Sequence, residues 1–166
     1  MSPPVWTVGQ VLAAADVNNW FVPLVAIKGS DQSVTSSTVQ VGDLALFLPL
    51  AANCSYRIDA NVNYEGGTQG SSDIQWSFAV PGGSTMNYQG TFNDTSGNAA
   101  CPRLAGTSTN HAGTNGGGFI RTIGIKGLIQ VSSTAANLSF NFAQNTSSGT
   151  ATTVHAGSWI MAQRLS

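Results

Sequence analysis

The fold of this chain is decided by one stretch of its sequence, Tyr56-Arg57-Ile58-Asp59-Ala60-Asn61-Val62-Asn63-Tyr64. Apolar or aromatic side chains occupy every second position, and charged or amide side chains fill the positions between them. Successive side chains of a β-strand point to opposite faces of its sheet. The alternation therefore predicts a strand with one face buried and one face in water.

Segments of the same kind recur on both sides of this stretch. Ile74, Trp76, Phe78 and Val80 hold alternate positions up to the turn signal Pro81-Gly82-Gly83. Further strands are predicted at Leu24 to Lys28, Val39 to Phe47, Thr85 to Tyr88, Phe119 to Val131, Leu138 to Phe142 and Val154 to Arg164. Eight or more short strands joined by Gly, Ser and Asn turns predict an all-β fold, an antiparallel β-sandwich that is jelly-roll-like, over residues 24–166.

The first 23 residues follow a different pattern. Between residues 13 and 21, apolar side chains recur at i, i+4, i+7 and i+8, which places them on one face of a helix that Pro23 ends. We predict that residues 1–23 form an anchoring arm with a short helix. The candidate anchoring residues are Trp6, Val11, Leu12, Val17, Trp20 and Phe21. In the alternative, this helix closes the end of the domain's own core.

Charged residues are scarce in this chain, which has six basic and seven acidic residues, or 8% of its length. An ordinary soluble domain has about 25%. Six scattered basic residues cannot neutralise a phosphate backbone, so we expect no nucleic-acid partner. Apolar runs such as Leu44 to Leu50 are far shorter than the roughly 20 residues of a membrane span, so we expect no membrane contact. The first residues lack the pattern of a signal peptide, which predicts synthesis in the cytoplasm and release by lysis.

The sequence contains no recognisable catalytic or metal-binding pattern. His111 and His155 have no second His or Cys at ligand spacing, and no Gly-x-Ser-x-Gly elbow or phosphate-binding loop is present. The acidic residues do not form the pair of facing carboxylates that glycosidases need. We therefore predict a protein that is not an enzyme and has no cofactor. Whether Cys54 and Cys101 pair or stay as two partly buried thiols is left open.

One long segment, from Asn93 to Gly118, is rich in Asn, Gly, Thr and Ser and poor in apolar residues. Long loops in compact domains tend to be functional or disordered. We expect this segment to be an exposed tip, or to be ordered by a neighbouring subunit. Its candidate recognition residues are Asn110, His111 and Asn115. A fourth candidate is Tyr88, an aromatic residue near a glycine-rich turn.

Several stretches resemble a known group of proteins. The opening Trp6-Thr7-Val8-Gly9-Gln10-Val11-Leu12-Ala13-Ala14-Ala15-Asp16-Val17-Asn18 is similar to the Trp-x-x-Gly-Glu-x-x-Thr-Ala-Ala-x-x-Asn opening of tail and fibre proteins of actinobacterial tailed phages. Residues 142–148 and 154–160 resemble the Ala-Gln-x-x-Ser-Ser and Ala-Gly-Ser-x-aliphatic ending of small virion proteins in these phages, and residues 31–38 and 73–78 also resemble the group. The chain departs from it at Gln10 and Ala13, where Glu and Thr are usual.

The resemblance implies a virion component without catalytic residues, either a capsid-decorating protein, a head fibre or a minor tail protein. We expect it to associate with itself as a homotrimer and with the major capsid or tail proteins through its arm. Neutral Ser, Thr and Asn side chains suit such packing because they bury no unpaired charge. The alternative is a module of the tail tip that binds a host receptor or glycan.

Overall fold

The computed structural model describes residues 7–11, 13–66, 73–114 and 118–166. Within them lie one helix and thirteen strands, and every strand pairing is antiparallel. The all-β class and the antiparallel sheets are confirmed. The elements are α1 Ala14–Phe21, β1 Leu24–Ile27, β2 Gln32–Val34, β3 Val41–Leu50, β4 Ser55–Gly66, β5 Ile74–Ala79, β6 Thr85–Asn93, β7 Ala99–Ala100, β8 Arg103–Ala105, β9 Asn110–Ala112, β10 Arg121–Gln130, β11 Ala136–Gln144, β12 Thr152–Val154 and β13 Trp159–Arg164.

The described strands form two sheets. The larger has nine strands in the order β1-β13-β4-β10-β6-β7, with β8 also pairing with β6, and with β12 and β2 continuing outward from β4. The smaller has four strands in the order β3-β11-β5-β9. Strand β4 contains the alternating stretch from Tyr56 to Tyr64, and it lies in the middle of the larger sheet, between β10 and the pair β12 and β13. Its apolar side chains are buried as the alternation predicts.

One hydrophobic core lies between the two sheets. Trp76 of β5 is fully buried and stacks on Phe140 of β11, with 5.9 Å between the ring centroids. The same indole meets Tyr88 and Phe92 of β6 at centroid distances of 6.0 and 5.8 Å. Because Trp76 and Phe140 belong to the smaller sheet and Tyr88 and Phe92 to the larger, these aromatic rings hold the two sheets together. The jelly-roll-like connection of the strands stays a prediction.

The prediction of one continuous strand from Val154 to Arg164 is wrong. Strand β12 ends at Val154 and β13 begins at Trp159, and both pair with β4. The residues between them leave the ladder in a turn, in which Gly157 has a φ of 82°, a left-handed conformation that glycine adopts without strain. The turn stays attached to β4, because Ser158 Oγ accepts a hydrogen bond from Asn63 N at 2.9 Å.

The segment from Asn93 to Gly118 is more ordered than its composition predicts. It contains β7, β8 and β9, which pair with β6 and β5. Its end is anchored by Asp73, whose Oδ1 accepts hydrogen bonds from Thr114 N at 2.8 Å and from Thr114 Oγ1 at 3.1 Å. Strand pairing and a buried carboxylate thus supply the contacts that apolar side chains do not, and full exposure of this segment is excluded for its described part.

Candidate functional site

The predicted anchoring residues lie on and before α1. Val11 and Phe21 are exposed and Val17 is half-buried. Trp6, Leu12 and the side chain of Trp20 lie outside the described residues. The helix begins after Ala13, which has no side-chain hydrogen bond to cap it, and the helix lies against β13. Whether α1 anchors the protein or closes the core therefore stays a prediction.

Of the predicted recognition residues, two are buried and one is exposed in the described part of the chain. Tyr88 is only 2% exposed and Asn110 only 7%, so the expectation that they lie on the surface is wrong. Tyr88 points inward from β6 onto the core, and its hydroxyl accepts a hydrogen bond from Asn110 Nδ2 at 3.0 Å. Burial raises the pKa of Tyr88. His111 is exposed, and Asn115 lies outside the described residues.

Two strands lie at open sheet edges beside each other. Among the described residues, β1 pairs with β13 alone and β3 with β11 alone, and β1 and β3 are in contact. Apolar side chains on and beside these strands point into solvent, and the most exposed are Leu44 at 82% and Val39 at 72%. We call this surface the edge strip, and its residues are Val25, Ile27, Val39, Val41, Leu44 and Phe47.

The edge strip contains no charged side chain, although exposed strand edges in monomeric proteins are usually blocked by charge or proline, and on β3 the one proline, Pro49, lies near the end of the strand. Part of the β3 edge is covered by Gln32, whose Nε2 donates to Gly42 O at 3.2 Å and whose Oε1 accepts from Leu44 N at 2.9 Å. The edge is thus partly protected by a neutral amide, and the apolar side chains beside it remain open to a partner.

Behind the edge strip, a buried ion pair joins the two sheets. Lys28 Nζ, just after β1, lies 2.8 Å from Asp43 Oδ2 of β3, and the side chains are 2% and 0% exposed. Asp43 Oδ1 accepts hydrogen bonds from Ala45 N at 2.9 Å and Leu46 N at 3.0 Å. This pair, which we call the clasp, holds β1 against β3 and therefore fixes the shape of the edge strip.

A second polar cluster holds the turn between β12 and β13. His155 Nδ1 lies 3.1 Å from Asp31 Oδ2, and His155 Nε2 lies 3.4 Å from Glu65 Oε2. Hydrogen bonds from Ala156 N and from His155 hold the pKa of Asp31 below its usual value of 3.8. Glu65 Oε1 accepts a hydrogen bond from Gly118 N at 2.5 Å. The cluster therefore ties three separate segments to the end of β4.

Other kinds of site are not found in the described part of the chain. No group of three or more His, Cys, Asp or Glu residues within it is arranged to hold a metal ion. Cys54 is buried, Cys101 is exposed, and both are free thiols. None of the described helices is long and apolar enough to cross a membrane.

Comparison with known proteins gives only distant likenesses. No protein-family model matches the sequence, and no curated protein is similar to it. One similar solved structure is the tripod (BppUct-A-L) from the baseplate of bacteriophage Tuc2009, with 10% identity, coverage of 98% of this chain and 74% of that chain, and a TM-score of 0.39. A chain of infectious bursal disease virus strain Gx is matched with 10% identity, coverage of 87% and 36%, and a TM-score of 0.22.

The VP2 subviral particle of infectious bursal disease virus is matched with 10% identity and a TM-score of 0.21. The match covers 99% of this chain and 45% of that one, so this chain spans less than half the length of the bursal disease virus chains. These values describe loose likenesses.

Proposed function

We propose that this chain is a non-enzymatic structural protein of an actinobacterial phage virion, which decorates the capsid or forms a minor tail or fibre component. In this proposal residues 24–166 are a jelly-roll-like β-sandwich that projects from the particle. Residues 1–23 form the arm that binds the major capsid or tail proteins. The sequence resemblance of residues 6–18 and 142–148 to virion proteins supports the class, and the edge strip supports the assembly.

The edge strip is the observation that carries the proposal. Large apolar side chains gathered on two neighbouring open strand edges mark an association surface, because isolated apolar residues are normal but grouped ones are not. The occupant is a second copy of this chain. Its own edge strip is apolar and uncharged, so copies meet without like-charge repulsion and without burying an unpaired ion. In a closed ring of three copies, the β1 side of each strip meets the β3 side of the next, and the strip is covered on every subunit.

Light scattering on the purified protein tests this assembly. We expect a trimer whose mass does not change between low and high salt, since screening acts on charges and the strip has none. Leu44→Asp places a charge in the strip and should give a monomer. Leu128→Asp is the matched control, because Leu128 is an exposed leucine of β10, away from both edges. A monomeric wild-type protein at micromolar concentration, or equal dissociation of both variants, would refute the trimer.

Deletion of residues 1–21 tests the arm. We expect a soluble domain that keeps the circular dichroism of a β-protein but no longer joins the particle. An insoluble product, or loss of the β signal, would show that the helix belongs to the core. A low-resolution map of the particle then decides the location, because hundreds of copies indicate capsid decoration and a handful indicate the tail.

A further inference from the structure

The outer face of the larger sheet contains a groove on both sides of the exposed Lys126 of β10. On one side Gly124 leaves the sheet uncovered, and the hollow there has a volume of about 340 Å³. On the other side the exposed Leu128 lines a hollow of about 660 Å³. Lys126 and Gln89 line both hollows, which are therefore parts of one groove.

An aromatic wall stands at one end of this groove. Trp159 of β13 is partly exposed, lines the smaller hollow, and points outward because its neighbour Ile160 is buried in the core. Strand register places Trp159 opposite Asn61, and Asn61 opposite Gly124. Because Gly124 has no side chain, the face of the Trp159 indole has space beside it for a flat ring to stack.

Amide and hydroxyl side chains line the rest of the groove at regular spacing. Asn61, Gln89 and Thr91 line the smaller hollow, and Asn87 and Thr85 line the larger. They stand on the outward positions of adjacent strands. Short polar groups of this kind donate and accept hydrogen bonds to neighbouring hydroxyl groups, while few charged groups compete for them.

Two cations lie along the groove. Register places Lys126 opposite Gln89, and Gln89 opposite Arg103 of β8, so the two cations stand two strands, or roughly 10 Å, apart. Asp59 lines the smaller hollow opposite Lys126 in the register, and its carboxylate is paired with Arg57, whose Nε lies 2.9 Å from Asp59 Oδ2. Within the described residues, neither Lys126 nor Arg103 forms an ion pair. The groove therefore offers two positive charges to a ligand.

We propose that this groove binds an acidic oligosaccharide. The negative face of the Trp159 indole attracts the partly positive C–H groups of a pyranose ring, and the amides pair with its hydroxyl groups. Lys126 and Arg103 pair with carboxylate or phosphate groups on neighbouring sugar units. From β13 to β8 the groove crosses four strand spacings, or about 19 Å, which suits a short chain of sugars. Two cations are too few for a nucleic acid.

This binding site goes beyond the structural role and does not depend on it. An array of oligosaccharides, with uronate-containing, phosphorylated and neutral members of equal length, tests it on the intact protein. We expect the acidic oligosaccharides to retain the protein. Retention by the uronate-containing or by the phosphorylated oligosaccharides shows whether carboxylate or phosphate is the recognised group. Lys126→Gln should weaken retention on the order of tenfold, the effect of one charge-assisted hydrogen bond. Its matched control is Arg121→Gln, a cation of the same strand that lines neither hollow.

A variant that fills the groove without destabilising the fold separates loss of binding from loss of folding. A Cβ built at Gly124 has its nearest neighbours, two atoms of Thr91, at 3.9 Å, so Gly124→Val fits the strand and blocks the hollow. We expect this variant to melt no lower than wild type and to lose retention, as Trp159→Ala should. The exposed Phe119→Ala is the aromatic control. Absence of retention by wild type, equal retention of neutral members, or full retention by Gly124→Val would overturn the proposal.

Discussion

Replacing Lys28 by Met should lower the free energy of unfolding by about 3 kcal/mol, through the loss of the clasp. Removing one partner of a buried pair leaves the other charge desolvated, which costs about 3–5 kcal/mol. Both side chains are essentially inaccessible to water, and their charged atoms lie 2.8 Å apart. Asp43 keeps its hydrogen bonds from Ala45 N and Leu46 N, so the loss should fall at the lower end of that range.

Urea denaturation followed by circular dichroism measures this loss at one protein concentration. With a slope of about 2 kcal/mol per molar urea, the midpoint should fall by roughly 1.5 M. The double variant Lys28→Met/Asp43→Asn should recover most of it, because the amide oxygen of Asn still accepts the two backbone hydrogen bonds and no ion stays buried. Lys126→Met, at an exposed lysine, should change stability by less than about 0.5 kcal/mol.

The relative urea midpoints of the variants test whether the clasp is desolvated. If Lys28→Met lowers the midpoint no more than Lys126→Met, water reaches the clasp and the pair is not desolvated. If the double variant is as unstable as Lys28→Met alone, the loss comes from packing of the lysine chain, and the stranded charge is not its cause.

Three further predictions concern other parts of the fold. Gly127→Ala should cost about 1–3 kcal/mol in urea denaturation, since a Cβ there would lie 2.5 Å from the Cβ of Tyr88 and 2.7 Å from Asn87 O; an unchanged midpoint would contradict the close approach. Burial raises the pKa of Tyr64 above its usual 10.0, so above about pH 10 the unfolded chain ionises at this tyrosine while the folded chain does not. The free energy of unfolding should therefore fall as the pH rises past about 10, and Tyr64→Phe should make that fall smaller. The lowered pKa of Asp31 has the opposite effect: Asp31 stabilises the folded state above pH 3.8, and this stabilisation is lost as the pH falls through the folded pKa. The melting temperature of Asp31→Asn should therefore depend less on pH in that acid range than the melting temperature of wild type.

Sequence periodicity predicted the strands whose two faces differ in burial. Strand β4 is an example, because each of its apolar positions is buried, while all its polar positions except Asp59 are at least partly exposed. Strands β5 and β11 were predicted for the same reason, since Trp76, Phe78, Phe140 and Phe142 all face the core. Burial on alternate positions is a local property, and a local pattern is enough to reveal it.

Pairing between distant segments could not be predicted in this way. The sequence between Asn93 and Gly118 has little apolar content, and its order depends on contacts with Asp73 and β6 that no spacing reveals. The groove depends on register in the same manner, because Trp159 and Gly124 are 35 positions apart and meet only through β4. Gly124 and Gly127 within an otherwise continuous strand were the available signal, because a glycine inside a strand often marks a bulge or a close approach.

The edge strip and the groove are neighbours, and this bears on how one small domain could combine two roles. Ile27 of the strip pairs in register with Trp159 of the groove, and the groove extends from there across to β8. Association through the strip would therefore bring a neighbouring copy to the Trp159 end of the groove and leave its β8 end open on every copy. Three grooves held on one trimer would bind a repeating polymer with higher avidity than one groove alone, because after the first contact the others form at high effective concentration. A weak single site would then be sufficient for firm attachment, provided that the strip assembles the copies first.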